Sequence, residues 1–575
     1  MTPQNNQYRL LTCTTWEKSA CILLIAGSLA YYWSVFFYYA LDAGQADDFV
    51  DVLWFFEIFL GQEHWLDKLA VIALPNHEHV TIFNHLVYLA HYALFKQINF
   101  FHYMLIGHFL VLACCWVLAE WLQKTVGWWY ALALVFTVFF NLFYWHASFW
   151  AMTALSNQAV ILFALLAARS VARNPDAIVK PLSWALLAVT TQFNGLLVLP
   201  ALIASGFLVK KVEHGQQNWR QLLVWLGAFI VVTVSYITYE NPFNADHLWR
   251  YVVYTDPQNL KDYINPVNEN DIAGATSLWN APLTLLSMAG ASVVDLTQWW
   301  LAAMVGGALL FFLLLGGVRP SAVSDRFWWA ILFFVGASIA LVAIGRGLSF
   351  GPEAGLLYRY RIYSFLLLIL LVGSTISRKP NRMTVWFFLL TGLFVQIVSL
   401  HVLDDIDRER VTVKTSHYNW LIDGGMGRSH MPFYPHNQDW RLFNAYERGD
   451  YNPYNAIDSR HRPVFVSAVK DGACGLDAAS PVVETGVARA WSKKPRALAA
   501  EITLDTVPSD TPAQLLFCGN AVSYLFMLDA HNIDRDTGKY SSLLVLKKQL
   551  PPSQYRVLLQ QSDGSYKSLG NIAFP

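Results

Sequence analysis

The sequence has little charge for its size. Asp, Glu, Lys and Arg make up 14% of its 575 residues, against about 25% in a soluble globular chain. Hydrophobic residues reach 55% and the mean hydropathy is +0.35, so this chain cannot cover its surface with charge and much of it must face lipid. The 40 basic and 40 acidic residues balance, which leaves no basic excess for phosphates and argues against a nucleic-acid binder. The composition indicates a polytopic α-helical membrane protein.

The N-terminal part, residues 1–403, divides into about eleven apolar runs of membrane-crossing length. They lie at 19–41, 79–95, 101–122, 127–145, 149–168, 182–209, 221–239, 299–318, 327–344, 361–376 and 385–403. The run 182–209 is long and contains Asn194, Gly195 and Pro200, so a re-entrant pair is the alternative there. That alternative would invert every later segment and place the later basic loops on the outer side of the membrane. We therefore predict eleven single spans.

Basic residues in the short loops set the expected orientation, because cytoplasmic loops carry an excess of Lys and Arg. Arg9 and Lys18 place the N-terminus in the cytoplasm, and alternation from there leaves one exception, since Arg169, Arg173 and Lys180 fall outside. The outer face then holds loops 42–78, 240–298 and 345–360 and everything after residue 403. In the first of these loops, apolar residues at spacings of three and four predict an amphipathic helix on the membrane surface.

Residues 404–575 differ in composition and read as an extracytoplasmic domain. Short strand-like runs separated by turn residues begin at about residue 463, which predicts a β-rich, sandwich-like fold. Cys474 and Cys518 are the two cysteines of this part, and in an oxidising periplasm we expect them to pair. Two free core cysteines are the alternative. The sequence contains no CxxC and no zinc-ligand spacing.

The first outer loop carries the densest acidic cluster of the membrane part. It contains Asp42, Asp47, Asp48, Asp51, Glu57 and Glu63. A carboxylate at the membrane interface can act as a general base, because partial desolvation raises its pKa, or it can hold a divalent cation. Asp47 and Asp48, adjacent and directly outside a span, are the candidates that fit best, with Asp42 behind them. The alternative is that these acids cap and solvate a surface helix.

His77, Glu78 and His79 stand directly before the second apolar run. Ionisable groups in a row at the membrane surface are costly unless they are used. The two histidines could bind a metal or an acceptor hydroxyl, with Glu78 orienting them, although a spacing of two is not that of the HExxH zinc helix. The alternative is a polar cap for the span that follows.

The late outer loop combines glycine with arginine. Gly345, Gly347 and Gly351 lie among Arg346, Arg359 and Arg361, with Tyr360 between the last two arginines. Positive charge on the outer face runs against the usual bias, and guanidinium groups bind phosphate through paired hydrogen bonds. A lipid-phosphate site is the preferred interpretation, and anchoring to anionic headgroups is the alternative.

The loop 240–298 interleaves aromatic and polar residues. His247, Trp249 and Arg250 are candidates for contacts with a sugar, because rings stack on sugar faces while polar neighbours read the hydroxyls. Interfacial anchoring by Trp and Tyr is the alternative.

The order of these parts resembles the glycosyltransferase C (GT-C) superfamily, integral-membrane enzymes that use polyprenyl-phosphate-linked sugars. The resemblance covers roughly the whole membrane part. It implies a catalytic carboxylate in the first outer loop, where Asp47 and Asp48 stand. It also implies a carrier-phosphate site in the late loop, at Arg346, Arg359 and Tyr360. Residues 76–79 look like an Asn-Glu-His-type motif of bacterial members, with one extra histidine.

What the resemblance implies is an inverting transfer of a sugar to a periplasmic glycan, lipopolysaccharide or surface protein such as a pilin. The enzyme would be a monomer in a bacterial inner membrane with its C-terminal domain in the periplasm. The donor sugar could be a hexose or a pentofuranose such as arabinose, and Mg or Mn could take part, since some relatives need a metal. A transporter or flippase of lipid-linked sugars is the runner-up, and a purely structural membrane subunit is a further alternative.

Overall fold

A computed structural model describes most of the membrane part and parts of the remainder. The described residues are 11, 13–45, 47–76, 79–213, 218–238, 277–292, 298–317, 325–348, 351–378, 381–407, 409–410, 413, 417, 444–452, 499–504, 514–519, 523–527, 540–545, 553–560 and 566–574. The chain divides into two compact units. Met1–Tyr38, Val50–Leu94 and His102–Leu403 form the first, and Tyr39–Phe49, Phe95–Phe101 and Asp404–Pro575 form the second.

The first unit is helical. Its helices are α1 Thr15–Tyr39, α2 Phe55–Gly61, α3 Trp65–Ile72, α4 Ile82–Phe95, α5 Phe100–Val126, α6 Trp128–Phe139, α7 Ala151–Arg173, α8 Val179–Val189, α9 Val198–Glu213, α10 Trp219–Thr238, α11 Asn280–Gly290, α12 Trp299–Gly317, α13 Arg326–Val342, α14 Arg361–Arg378 and α15 Arg382–Val398. Within the described residues, seven helical segments are long and apolar enough to cross a membrane, and four shorter apolar helices accompany them. The helix α7 is central in the bundle, because 94% of its apolar stretch is buried. The corresponding buried share is 22% in α1 and 17% in α10.

The predicted single span at 182–209 is wrong, because the structure breaks it into α8 and α9. The 3₁₀ turn Phe193–Leu197 separates the two helices, and Gly195 packs so closely on Ala188 that an added Cβ would lie 2.0 Å from its carbonyl oxygen. Before α8, the backbone of Pro175 accepts from Gln221 at the start of α10, and Phe207 of α9 packs on Trp219 at the same place. The pair is therefore a helical hairpin that returns to the end from which it came.

The predicted span at 79–95 is also wrong. Its helix, α4, has 14 residues, or about 21 Å at 1.5 Å per residue, which is short of a hydrocarbon core of about 30 Å. The residues that follow it return to the first loop, where the backbone N–H of Phe100 donates to Asp42 at 2.8 Å. Both ends of α4 therefore lie at the end of the bundle where α1 finishes.

These two changes remove the exception to the charge bias. Arg169 and Arg173 pair with Glu120 near the end of α5, while Arg326 donates to the carbonyl of Pro175. Arg382 lies 3.7 Å from Glu17 at the start of α1. The basic loops thus gather at one end of the helical bundle, called here the basic end, and the opposite end is called the loop end. The expectation that Arg169 and Arg173 lie apart from the other basic loops is wrong.

The first outer loop is not a helix that merely lies on a surface. It begins with a π-helical turn, Phe49–Trp54, and continues into α2 and α3. Val52, Leu53, Phe55 and Phe56 are fully buried, so this part packs inside the unit. The predicted loop 240–298 likewise contains a helix, α11. It crosses α12 closely because both helices carry glycine at the crossing, Gly290 and Gly306.

The described part of the second unit combines loop residues with strands. Its strands are β3 Ala499–Leu504, β4 Gln514–Gly519, β5 Ser523–Met527, β6 Tyr540–Val545, β7 Ser553–Gln560 and β8 Tyr566–Phe574, while the two-residue β1 Pro75–Asn76 and β2 His79–Val80 belong to the first unit. A four-stranded antiparallel sheet has the order β5-β4-β7-β8, and a separate pair joins β3 to β6. Cys518 is buried in β4, while Cys474 lies outside the described residues. The sandwich-like domain and the disulfide stay predictions.

Candidate active site

Asp42, the first of the predicted carboxylates, holds the start of α5. Its Oδ1 accepts the backbone N–H of Phe100 at 2.8 Å and its Oδ2 accepts the side-chain amide of Asn99 at 3.1 Å. The bond to Phe100 satisfies a backbone donor that the start of a helix leaves open, as a capping side chain does. With both oxygens engaged, Asp42 is the least suited of the three to take a proton from a substrate.

Asp47 and Asp48 differ in exposure. Asp48 is fully buried and its Oδ2 accepts the backbone N–H of Gln45 at 3.1 Å, which closes the turn that leads into the π-helix. Asp47 is half-buried. A general base must reach the proton that it abstracts, so Asp47 is the better placed of the two. Its catalytic role stays a prediction.

Asp51 is the carboxylate that the sequence argument passed over. It is 1% exposed, and the hydroxyl groups of Thr81 and Tyr88 each donate to it at 2.7 Å. The amide of Asn84 lies 3.3 Å from Oδ2, and Nε2 of His85 lies 3.6 Å from Oδ1. A signal was available in the sequence, because positions 81, 84, 85 and 88 fall on one face of a helix. A polar stripe in an otherwise apolar run requires a buried polar partner.

The protonation of this cluster follows from its hydrogen bonds. Nδ1 of His85 lies 2.8 Å from the carbonyl oxygen of Ile72, and since a carbonyl oxygen only accepts, Nδ1 carries a proton. Burial by itself would raise the pKa of Asp51. The hydrogen bond and charge of His85 and the hydrogen bonds from Thr81 and Tyr88 outweigh it, so the pKa of Asp51 is lowered. Asp51 therefore stays ionised and ties the first loop to α4 rather than taking up protons.

Of the predicted histidine cluster the structure describes one member. His79 is half-buried and its Nδ1 accepts the backbone N–H of Phe193 at 3.4 Å. His77 and Glu78 lie outside the described residues, as do the sugar-contact candidates His247, Trp249 and Arg250. Within the described ranges no three His, Cys, Asp or Glu side chains are grouped as metal ligands. A divalent cation stays a prediction.

The arginine loop lies at the loop end of the bundle. It consists of irregular turns, the π-helical Ala343–Gly347 and the 3₁₀ turns Pro352–Leu356 and Tyr358–Tyr360. Arg346, Arg359 and Tyr360 are half-exposed, and the guanidinium of Arg359 lies over the ring of Tyr360 at 5.0 Å. Two cationic side chains are thus accessible on one loop.

Arg361 has a different environment from its neighbours. It is fully buried, its Nε donates to the carbonyl of Leu356 at 2.9 Å, and its guanidinium lies between the rings of Tyr358 and Phe143, at 4.7 and 5.2 Å from their centroids. Aromatic faces stabilise a desolvated cation. Arg361 therefore fixes the loop and adds positive charge beneath it.

The turn of the α8–α9 hairpin connects the Asp51 cluster with the arginine loop. Thr190 accepts the backbone N–H of Phe83 at 2.9 Å, next to the residues that bond Asp51. Four residues later, the amide of Asn194 donates to the hydroxyls of Tyr363 and Ser338 at 2.5 and 3.3 Å. Since Tyr363 follows Arg361 by two residues, the turn couples both polar clusters of the loop end.

Comparison with known proteins gives two structural matches. No family model matches the chain, and no curated protein matches it. The solved structure of ArnT from Cupriavidus metallidurans in the apo state matches at 12% identity over 82% of this chain and 83% of that one, with a TM-score of 0.36. The same protein bound to undecaprenyl phosphate matches at 14% identity over 81% and 82%, with a TM-score of 0.34.

TM-scores below 0.5 do not establish a common fold.

Proposed function

We propose that this protein is an integral-membrane glycosyltransferase of the GT-C type that takes a sugar from a polyprenyl-phosphate donor. The observation that carries the proposal is the arginine loop. Arg346 and Arg359 are accessible and Arg361 lies buried beside them, at the end of the bundle opposite the basic end. A phosphate on a lipid chain is restricted to the membrane boundary, and guanidinium groups held there bind it through charge-assisted hydrogen bonds.

The chemistry follows from a carboxylate and this positive charge. The carboxylate of Asp47 or Asp48 accepts the proton of an acceptor hydroxyl, whose oxygen attacks the anomeric carbon and inverts it. The bond from that carbon to the lipid phosphate breaks, and the phosphate leaves with the electron pair. Arg359 and Arg346 stabilise the negative charge as it grows on the departing phosphate, and removing one such donor typically costs about 10²–10³ in kcat.

The distribution of charge supports an orientation. Arg169, Arg173, Arg326 and Arg382 share the basic end, which we assign to the cytoplasm by the usual bias of basic residues. The loop end then faces the periplasm of a bacterial inner membrane, with residues 404–575 on that side. The acceptor is a periplasmic glycan, lipopolysaccharide or protein such as a pilin. The donor sugar can be a pentofuranose such as arabinose, Mg or Mn can assist, and the enzyme acts as a monomer.

The test is native mass spectrometry of the purified protein with undecaprenyl phosphate as the probe. Wild type is compared with Arg359→Ala and with Arg220→Ala, a matched loss of one exposed arginine at the basic end. We expect bound undecaprenyl phosphate, or a co-purified sugar adduct, in wild type and Arg220→Ala and a loss of it in Arg359→Ala. Equal binding in all three proteins would favour the alternative, in which the loop only anchors to anionic headgroups, and would overturn the proposal.

A transporter of lipid-linked sugars is not favoured by the broken helix pair α8 and α9. Transporters break helices near the middle of the membrane, where the substrate binds. Here the break at Phe193–Leu197 contacts residues 79–83 and the end of α10, where Tyr236 packs on Phe193. It therefore lies at the loop end, as a hairpin turn does.

A further inference from the structure

A second wall stands beside the arginine loop. It is the 3₁₀ segment Leu142–Ala147 between α6 and α7. The ring centroids of Trp145 and His146 lie 5.4 and 5.8 Å from the ring centroid of Tyr358. The guanidinium of Arg361 lies over the ring of Phe143. No part of this segment entered the sequence-based site, because it reads as the end of an apolar run.

His146 has free hydrogen-bonding capacity in this wall. It is half-buried, and no described residue hydrogen-bonds either of its ring nitrogens. Burial first, and then the positive charge of Arg359, lower the pKa of His146 to about 3. The imidazole is therefore neutral at physiological pH and offers one N–H donor and one acceptor nitrogen.

Trp145 brings a second open donor. Its side chain is 3% exposed, and its Nε1–H has no hydrogen-bond partner among the described residues. A buried donor without a partner costs about 1–3 kcal/mol, and such groups are rare in folded proteins. Trp145 and His146 are adjacent, with ring centroids 4.0 Å apart, so both open groups lie in the same wall.

We propose that Trp145 and His146 are ligand-binding residues that donate hydrogen bonds to oxygens of the polyprenyl-phosphate donor held by Arg359. This inference rests on the proposed function and deepens it. The arginine supplies charge, whereas the indole and the neutral imidazole supply directed donors that can hold the phosphate of a polyprenyl chain in one orientation, which charge alone does not do. Neither donor competes with the arginine for a counter-ion, since neither is charged.

The first test labels histidine in the intact protein with diethyl pyrocarbonate, which modifies neutral imidazole. Peptide mass spectrometry compares His146 with exposed His64, with and without undecaprenyl phosphate, and with phosphatidylglycerol or inorganic phosphate in its place. We expect labelling of His146 to fall severalfold with undecaprenyl phosphate alone, while His64 is unchanged. Equal protection by phosphatidylglycerol or by inorganic phosphate would overturn the inference, as would unchanged labelling of His146.

The second test measures affinity for undecaprenyl phosphate in two variants that retain an aromatic ring. His146→Phe and Trp145→Phe should each bind about ten- to a hundredfold more weakly, as expected for one lost hydrogen bond to a charged group, while His64→Phe binds as wild type. Thermal midpoints within error of wild type show that the packing on Tyr358 is kept. Wild-type affinity in both variants, with binding lost in Arg359→Ala, would overturn this inference and leave the proposed function standing. Wild-type protein that binds no undecaprenyl phosphate would overturn both.

Discussion

Replacement of Asp51 by Asn should destabilise the protein far more than any other single carboxylate-to-amide change in the first loop. The two oxygens of Asp51 accept from Thr81 and Tyr88 at 2.7 Å and from Asn84 at 3.3 Å. An asparagine offers one oxygen and one amide group that is itself a donor. Whichever way it is turned, the amide nitrogen takes the place of an oxygen that accepts a hydroxyl hydrogen bond, so at least one hydroxyl must give up its present bond and turn, and the charge beside His85 is gone.

The expected size follows from these contacts. A hydrogen bond to a charged group contributes about 1.5–3 kcal/mol, and removing one partner of a buried charged cluster costs about 3–5 kcal/mol. We therefore expect Asp51→Asn to lower the free energy of unfolding by about 3 kcal/mol or more. Unfolding in mixed micelles as the SDS fraction rises measures this value. Asp47→Asn is the matched control, because it makes the same carboxylate-to-amide change in the same loop at a half-buried position instead of a fully buried one, and substitutions outside the buried core usually cost less.

The pH dependence of this difference tests the electrostatic part of the reasoning. Because the pKa of Asp51 is lowered in the folded protein, its contribution is complete above the unfolded value of about 3.9 and disappears as the pH falls through the folded value. The gap between wild type and Asp51→Asn should therefore be constant from pH 8 to about pH 5 and shrink only in acid. If the stability difference between wild type and Asp51→Asn shrinks near neutral pH, burial raises the pKa of Asp51 more than its hydrogen bonds lower it. Equal stability of Asp51→Asn and Asp47→Asn would refute the hydrogen-bond network around Asp51.

Two further predictions concern packing and the role of the acids. Gly306→Ala should cost about 1–3 kcal/mol, the usual range for overpacking, since the new Cβ would lie 1.9 Å from the carbonyl oxygen of Leu286, whereas Gly307→Ala meets nothing nearer than 4.0 Å; equal thermal midpoints of the two variants would contradict the close helix crossing. Asp42→Ala should lower stability by about 1 kcal/mol, as loss of a cap does, and keep transfer activity, while Asp47→Asn should lower transfer about 10²–10⁴-fold with stability unchanged. The donor for that assay is the sugar adduct identified by mass spectrometry, and full activity in Asp47→Asn would move the base to Asp48.

Local features of the sequence predicted the helical membrane architecture and the two loops that carry charge. Hydrophobicity and run length decide whether a segment can be a membrane helix, and both can be counted along the chain. For that reason α1, α5, α7, α10, α13, α14 and α15 correspond to predicted spans. The arginine loop was visible for the same kind of reason, because arginine and glycine in one short segment between apolar runs are unusual wherever they fold.

The path of the chain through the bundle could not be predicted from hydrophobicity and run length. The apolar run 79–95 and the long apolar run 182–209 with its polar centre have the same local signal as spans. Only contacts decide that α4 does not cross and that α8 and α9 form a hairpin. The decisive contacts are Phe100 to Asp42 and Gln221 to Pro175, which join residues 58 and 46 positions apart.

The polar interior was likewise decided by tertiary structure. The first loop shows a cluster of six acids in the sequence, and the polar stripe on α4 indicates only that a buried polar partner is needed. Which acid is that partner is decided by the folded chain, because burial and hydrogen-bond partners depend on tertiary contacts. The same holds for His146, whose neighbours Tyr358 and Arg359 lie more than 200 positions away in the sequence. Composition and periodicity thus determined which segments enter the membrane, while long-range packing decided which polar groups are buried, which are satisfied and which are left open to a ligand.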